Sequence, residues 1–145
     1  METSTDKHMI QKHGRLETGL DEIFVKLAIT PPFREKIKGR KADIFLLPHK
    51  EMARLKKKFL PREKGPPNVL AFPEQKHWPY PEKNEGKLGE IYLNFDLAKG
   101  DIKKLSRLLI HGIVHLLGYD HKKKSDRMKM EKIEHRVDKI LNPKH

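Results

Sequence analysis

The stretch HGIVHLLGYDH, residues 111–121, decides the fold, because it ends a strongly apolar helical pattern that begins near residue 101. Leucine and isoleucine recur there at intervals of three and four residues, which predicts a buried helix over about 101–117. Gly118 follows where the pattern ends, and glycine readily adopts the left-handed conformation that stops a helix. The stretch therefore predicts a central helix, a turn at Gly118 and a segment that returns toward the helix.

Three histidines in this stretch have the spacing of metal ligands. His111 and His115 are four residues apart, so their side chains project from the same face of a helix. The turn at Gly118 can bring His121 back as a third ligand. Three imidazoles leave a fourth position for water, as in catalytic zinc sites. We therefore predict one metal ion held by these histidines and a water molecule, although a pair of histidines at this spacing is also common on ordinary helices.

Two neighbours of the histidines bear on the chemistry. The spacing equals that of the zinc-protease signature H-E-x-x-H-x-x-G-x-x-H, in which the glutamate is the general base. Gly112 occupies that position, so a peptidase that uses the usual base is disfavoured. Asp120 either orients a ligand imidazole or caps the turn, and the sequence favours neither role.

The remaining patterns predict short elements around the central helix. Apolar spacing indicates helices over about 16–30, 49–59 and 125–141, the last with Ser125 as its N-cap. Short apolar or alternating runs indicate strands over 42–47, 69–72 and 89–95, and a proline-rich surface loop separates the last two. We expect a single α+β domain over 15–141 with a small mixed sheet. Residues 1–14 are predicted to form a flexible arm or a weak first strand, and 142–145 a tail.

Composition limits the partners and the compartment. The chain has 145 residues, no cysteine and a formal net charge of +12, which suits a polyanionic partner such as nucleic acid. A well-solvated basic surface is the simpler alternative. The first residues of the chain lack the apolar core of a signal peptide, and no apolar run reaches the ~18 residues of a membrane span. We expect a cytoplasmic protein that does not enter a membrane.

Positive charge is concentrated beside the predicted cleft. The segment LKKKFLPREKG, residues 55–65, contributes four lysines that we expect to contact RNA, namely Lys56, Lys57, Lys58 and Lys64. Arg62 is the best candidate for a bidentate phosphate contact. Trp78 and Tyr80 either stack on unpaired bases or fasten their loop to the domain.

The residues of 111–121 resemble the signature of the YbeY family, the metal-dependent endoribonucleases of ribosomal RNA maturation. PPNVLAFP (66–73) and LGEIYLN (88–94) are similar to two strand motifs of that family. The resemblance implies an α+β fold, zinc on the three histidines, and cleavage of single-stranded RNA near the 3′ end of small-subunit rRNA. It also implies partners among small-subunit ribosomal proteins and ribosome-associated GTPases.

The segment that carries the family's arginine differs in this chain. Lys56 stands at the position of an asparagine and Leu60 at that of the arginine, whereas Arg62 follows two residues later and is assigned the catalytic role. Ala71 replaces a serine beside the cleft. The sequence thus predicts a zinc-dependent endoribonuclease of rRNA maturation. A non-catalytic ribosome assembly factor with a structural metal, or a metal-dependent hydrolase of another substrate, remain as alternatives.

Overall fold

The described residues form five helices and three strands. The computed structural model describes residues 4–31, 33–74, 86–119 and 123–141. The elements are α1 (Ser4–Ala28), α2 (Phe33–Ile37), β1 (Lys41–Leu47), α3 (His49–Phe59), β2 (Val69–Pro73), β3 (Lys87–Asn94), α4 (Ile102–Leu116) and α5 (Lys124–Leu141). Helices that pack around one small sheet of mixed strand direction make this an α+β domain.

The sheet has three strands in the order β1-β3-β2. Strand β3 pairs in parallel with β1, where Ile44 lies opposite Ile91, and antiparallel with β2, where Val69 lies opposite Leu93. The central strand is therefore the most buried, and Ile91 and Leu93 are fully inaccessible. The predicted α+β fold with a small mixed sheet is confirmed.

Helix α4 is the core of the domain. Its first turn is capped by Asp101, whose carboxylate accepts a hydrogen bond from the backbone N–H of Lys103. One side of the helix packs on β2 and β3, and other sides contact α1 and α5. Most of its apolar side chains are consequently buried, including Leu105, Leu109 and Ile113. This surrounding leaves only a narrow edge of the helix open to solvent.

The termini differ from the sequence-based expectation in two places. Helix α1 begins at Ser4, so residues 4–14 are helical rather than a loose arm or a weak strand. No proline interrupts this segment, and Met9, Gln11 and Lys12 are good helix formers that extend the amphipathic helix after them. Helix α5 begins at Lys124, which places Ser125 inside the first turn instead of at the N-cap. Residues 1–3 and the predicted tail 142–145 lie outside the described residues.

The short helix α2 was not predicted from the sequence, where the segment TPPF (30–33) has two prolines that favour the end of a helix. Phe33 and Ile37 are four residues apart, and both are buried against the core. Tertiary packing of these two side chains thus stabilises a single turn that local propensity would not. Across the described residues, no helix carries an apolar stretch long enough to cross a membrane.

Candidate metal centre

Helix α4 brings two of the three predicted metal ligands together. The Nε2 atoms of His111 and His115 are 3.1 Å apart, and the rings are nearly perpendicular at 77°. Two tetrahedral zinc ligands at ~2.0–2.1 Å from one ion have their nitrogens about 3.3–3.4 Å apart. The separation also fits a hydrogen bond between the rings. The pair is therefore close enough for both nitrogens to bind a single Zn²⁺ ion.

The turn after α4 has the conformation that the sequence predicted. Gly118 has a φ of 99°, and its N–H donates a hydrogen bond to the carbonyl of His115. The N–H of Tyr119 donates to the carbonyl of Val114, so the chain turns back along the helix. His121 and Asp120 lie outside the described residues, and within the described ranges no group of three or more His, Cys, Asp or Glu side chains is arranged to hold a metal ion. The third ligand therefore stays a prediction.

The two histidines line a cleft between α4, β2 and the loop after α3. We call it the histidine cleft; its volume is about 200 Å³, and its lining consists of Leu60, Glu63, Val69, Leu70, Ala71, His111 and His115. An adjoining cavity of about 190 Å³ shares His111 and Glu63 with it and adds Lys56 and Lys64. A polar, partly cationic groove thus leads to the histidine pair.

The basic residues of the loop fall into two groups. Lys56 and Lys64 line the cavity beside His111, and the Lys56 ammonium also donates to the carbonyl of Gly65, which holds the loop against α3. Lys57 and Lys58 are exposed on α3.

Arg62 is also exposed, and it does not belong to the lining of either cavity. Leu60, which stands at the arginine position of the family motif, does face the cleft. The catalytic role of Arg62 and the RNA contacts of the lysines stay predictions, as do Trp78 and Tyr80, which lie outside the described residues.

Helix α4 approaches the sheet closely at Gly112. A Cβ atom at this position would lie 2.9 Å from Cγ2 of Ile91 and 3.3 Å from Cγ2 of Val69. A larger side chain would therefore project into the sheet. This packing gives a physical reason for glycine where the zinc-protease signature has its glutamate.

Glu134 is a site residue that the sequence analysis missed. Its Oε1 atom lies 2.7 Å from Nδ1 of His111, on the ring edge opposite the nitrogen that faces His115. The signal was present in the sequence, because a carboxylate lies four residues after Met130 and three before Val137, on the apolar face of α5. Glu63 was also missed, since a loop residue carries no periodic signal.

Two ionisable groups outside the lining of the cleft have shifted pKa values. Burial, followed by the hydrogen bond to Glu90, raises the pKa of Tyr92 to about 12. Burial and then the nearby carboxylate of Asp43 raise the pKa of Asp21. Both shifts belong to the fold, and neither group contributes to the histidine cleft.

The domain is thus of the α+β class, with a small mixed sheet. The paired histidines on α4 give it a candidate metal cleft. A family model described as Endoribonuclease YbeY matches residues 2–142, and the chain belongs to this family.

Curated relatives carry the same description. The Endoribonuclease YbeY of Pelagibacter ubique is 31% identical over 123 residues, 78% of each chain. That of Buchnera aphidicola is 32% identical over 69% of this chain and 66% of the relative, and that of a Wolbachia strain is 34% identical over 50% of each. The matched part therefore spans about half to three quarters of these relatives.

A solved structure has the same fold. The solution structure of TM1509 from Thermotoga maritima superposes with a TM-score of 0.53, at 24% identity, over 87% of this chain and 81% of that one. At this identity the similarity shows the shared fold alone.

Proposed function

We propose that the protein is a zinc-dependent endoribonuclease that cleaves single-stranded RNA during maturation of the 3′ end of small-subunit rRNA. The observation that carries the proposal is the convergence of the His111 and His115 Nε2 atoms, 3.1 Å apart, in a cleft beside cationic side chains. Membership of the YbeY family supports nuclease chemistry, and the net charge of +12 favours a polyanionic substrate.

His111, His115 and His121 would hold the ion. When bound, zinc supplies Lewis acidity toward a phosphate oxygen and lowers the pKa of water toward about 7. The protein's own contribution is the fixed geometry: α4 is buried on several sides, so the two imidazoles keep their orientation without reorganisation.

Cationic side chains would bind the RNA backbone next to the histidines. Lys56 and Lys64 line the adjoining cavity, and a phosphate placed there lies between the loop and His111. Arg62 and the exposed Lys57 and Lys58 would extend this contact along the strand. Glu63 in the same lining repels phosphate and so partly offsets the attraction of the two lysines.

The biological setting belongs to the same proposal. We place the protein in the cytoplasm, with ribosomal RNA as substrate and with small-subunit ribosomal proteins and a ribosome-associated GTPase as partners. These assignments rest on the family resemblance of residues 66–73, 88–94 and 111–121.

A non-catalytic assembly factor is the second candidate, because one observation favours it. Leu60, an apolar residue, occupies the cleft where the family motif would place an arginine, and Arg62 is exposed beyond it. An electrostatic donor aimed at the phosphate is worth ~10²–10³ in rate in well-studied enzymes, so its displacement would leave binding intact and cleavage weak.

Cleavage of single-stranded rRNA fragments by the purified protein tests the proposal. We expect wild type to cleave, chelator to stop cleavage, and His115→Ala to be inactive. His135→Ala is the matched control, because His135 is exposed on α5 and lies outside the cleft lining. Equal cleavage by wild type and His115→Ala would refute the enzymatic assignment. RNA binding and bound metal without cleavage would favour the assembly factor.

A further inference from the structure

Glu134 on α5 contacts the predicted metal ligand His111. Its carboxylate oxygen lies 2.7 Å from Nδ1 of His111, and the two side chains are only 30% and 28% exposed. Met130 and Val137, on the same face of α5, are 2% and 0% exposed and anchor the helix in the core. The carboxylate is therefore held against α4 by helix packing and does not swing freely in solvent.

The chemistry of this contact assigns the proton on His111. An ionised carboxylate only accepts hydrogen bonds, so Nδ1 must carry the hydrogen and donate it. In the neutral ring Nε2 then carries the lone pair and is the acceptor nitrogen. Nε2 is also the atom that points at His115, 3.1 Å away. The hydrogen bond thus prepares the nitrogen that the metal site requires.

We propose that Glu134 is a positioning residue for the metal: it fixes the tautomer and ring orientation of His111 and strengthens Nε2 as a donor. The proposal rests on the proposed metal site and deepens it. Carboxylates that accept from the second nitrogen of a metal-bound histidine commonly raise metal affinity, and their loss weakens it about 10–100-fold. Because Glu134 lies on α5, the proposal also makes metal affinity depend on the packing of α5 against α4.

A purely structural ion pair is the competing explanation. In that case Glu134 would pair with a charged His111 and stabilise the contact between the helices, with no bearing on metal binding. The two explanations differ in what the metal-free protein does. A structural pair would change the unfolding of the metal-free protein, whereas a positioning residue would change the affinity for zinc more than the stability of the metal-free fold.

Zinc affinity of the full-length chain, measured by competition with a chromophoric chelator, tests the proposal. Glu134→Gln keeps the shape of the side chain and removes its charge, and we expect about 10–100-fold weaker zinc binding. Glu131→Gln is the matched control, because Glu131 is exposed three residues earlier on the same helix and its loss changes net charge equally. The visible spectrum of the Co²⁺ form should also change in Glu134→Gln and stay as in wild type in Glu131→Gln.

A double-mutant cycle keeps the test independent of folding. In a His111→Ala background, Glu134→Gln should cause no further loss of zinc affinity, and circular dichroism of each metal-free variant checks the fold. The proposal is overturned if Glu134→Gln binds zinc like wild type, if the control loses as much, or if the loss persists without His111.

The proposal and the proposed function fail in distinguishable ways. If wild type and Glu134→Gln bind zinc equally well, only the proposed role of Glu134 is contradicted. If wild type binds no zinc, both the role of Glu134 and the proposed zinc-dependent function are contradicted. Zinc bound in a Glu134-dependent manner without RNA cleavage upholds the positioning role and contradicts the nuclease.

Discussion

Replacing Gly112 with alanine tests how tightly the histidine-bearing helix sits on the sheet. The new Cβ would lie 2.9 Å from Cγ2 of Ile91, a contact that real Cβ atoms essentially never make. Ile91 is fully buried in the central strand, and its branched side chain has few alternative rotamers. The helix must therefore shift away from β3, and His111 and His115 would move with it.

The size of the effect follows from two opposing contributions. Overpacking of a well-packed core costs about 1–3 kcal/mol, with the upper half expected where the neighbour is stiff. Alanine in place of glycine in a helix interior returns about 1 kcal/mol. We expect a net loss of about 1–2 kcal/mol in the free energy of unfolding, or roughly 2–8 °C in Tm for a domain of this size.

Urea unfolding followed by circular dichroism, in the presence of chelator, measures this loss without a contribution from bound metal. Gly19→Ala is the matched control, because its Cβ would meet Cδ1 of Ile102 at an ordinary 3.5 Å. That variant should gain about 0.5–1 kcal/mol from helix propensity alone. If Gly112→Ala is as stable as Gly19→Ala, our inference that α4 packs too closely on the sheet at Gly112 to admit a Cβ atom is wrong.

Three further predictions concern the surroundings of the cleft. Asn94 is fully buried, and its side chain hydrogen-bonds to segments before β2 and after β3. Asn94→Ala should therefore lower the free energy of unfolding by about 1–3 kcal/mol. An unchanged urea midpoint would contradict this. Lys57 is exposed, so Lys57→Ala should weaken the binding of RNA single strands of unrelated sequence equally. It should also reduce the slope of the logarithm of the binding constant against the logarithm of salt concentration by about 0.7, measured by fluorescence anisotropy. An unchanged slope would exclude a phosphate contact. Burial and Asp43 raise the pKa of Asp21 above its unfolded value, so the stability that this group contributes is present at acid pH and is lost as pH rises through its folded pKa. Asp21→Asn should therefore be more stable than wild type at neutral pH and equal to it where both carboxyls are protonated, and the reverse order in urea titrations would refute the argument.

The segments with a regular apolar pattern, or with a glycine that ends a helix, were the predictable part of the fold. The apolar pattern over 101–117, the alternation over 89–95 and the glycine at 118 each act through local geometry, and α4, β3 and the φ of 99° at Gly118 agree with them. Six of the eight elements were thus predicted to within a few residues, whereas the start of α1 at Ser4 and the whole of α2 were not. Strand order was a different matter, because the parallel pairing of β1 with β3 depends on a crossover that no local pattern encodes.

The candidate site was predictable only where its residues share one helix. His111 and His115 follow from a four-residue spacing, which fixes their common face. Glu134 lies 23 residues further along the chain and contacts His111 through packing of α5 on α4. Its place on the apolar face of α5 could be read from the sequence, but its partner could not. The same holds for Gly112, whose absent side chain was first interpreted as a missing base. Its contacts with Ile91 and Val69 show that glycine is also needed for packing.

Reconstitution of the metal-free protein with zinc tests the central claim most directly. Protein stripped by chelator would receive Zn²⁺ in steps while bound metal and cleavage of a single-stranded rRNA fragment are measured on the same samples. We predict no cleavage before zinc is added and a rise in cleavage that ends at one bound ion per chain. Cleavage by the stripped protein at the untreated rate, or zinc bound at one equivalent with no cleavage, would contradict the account.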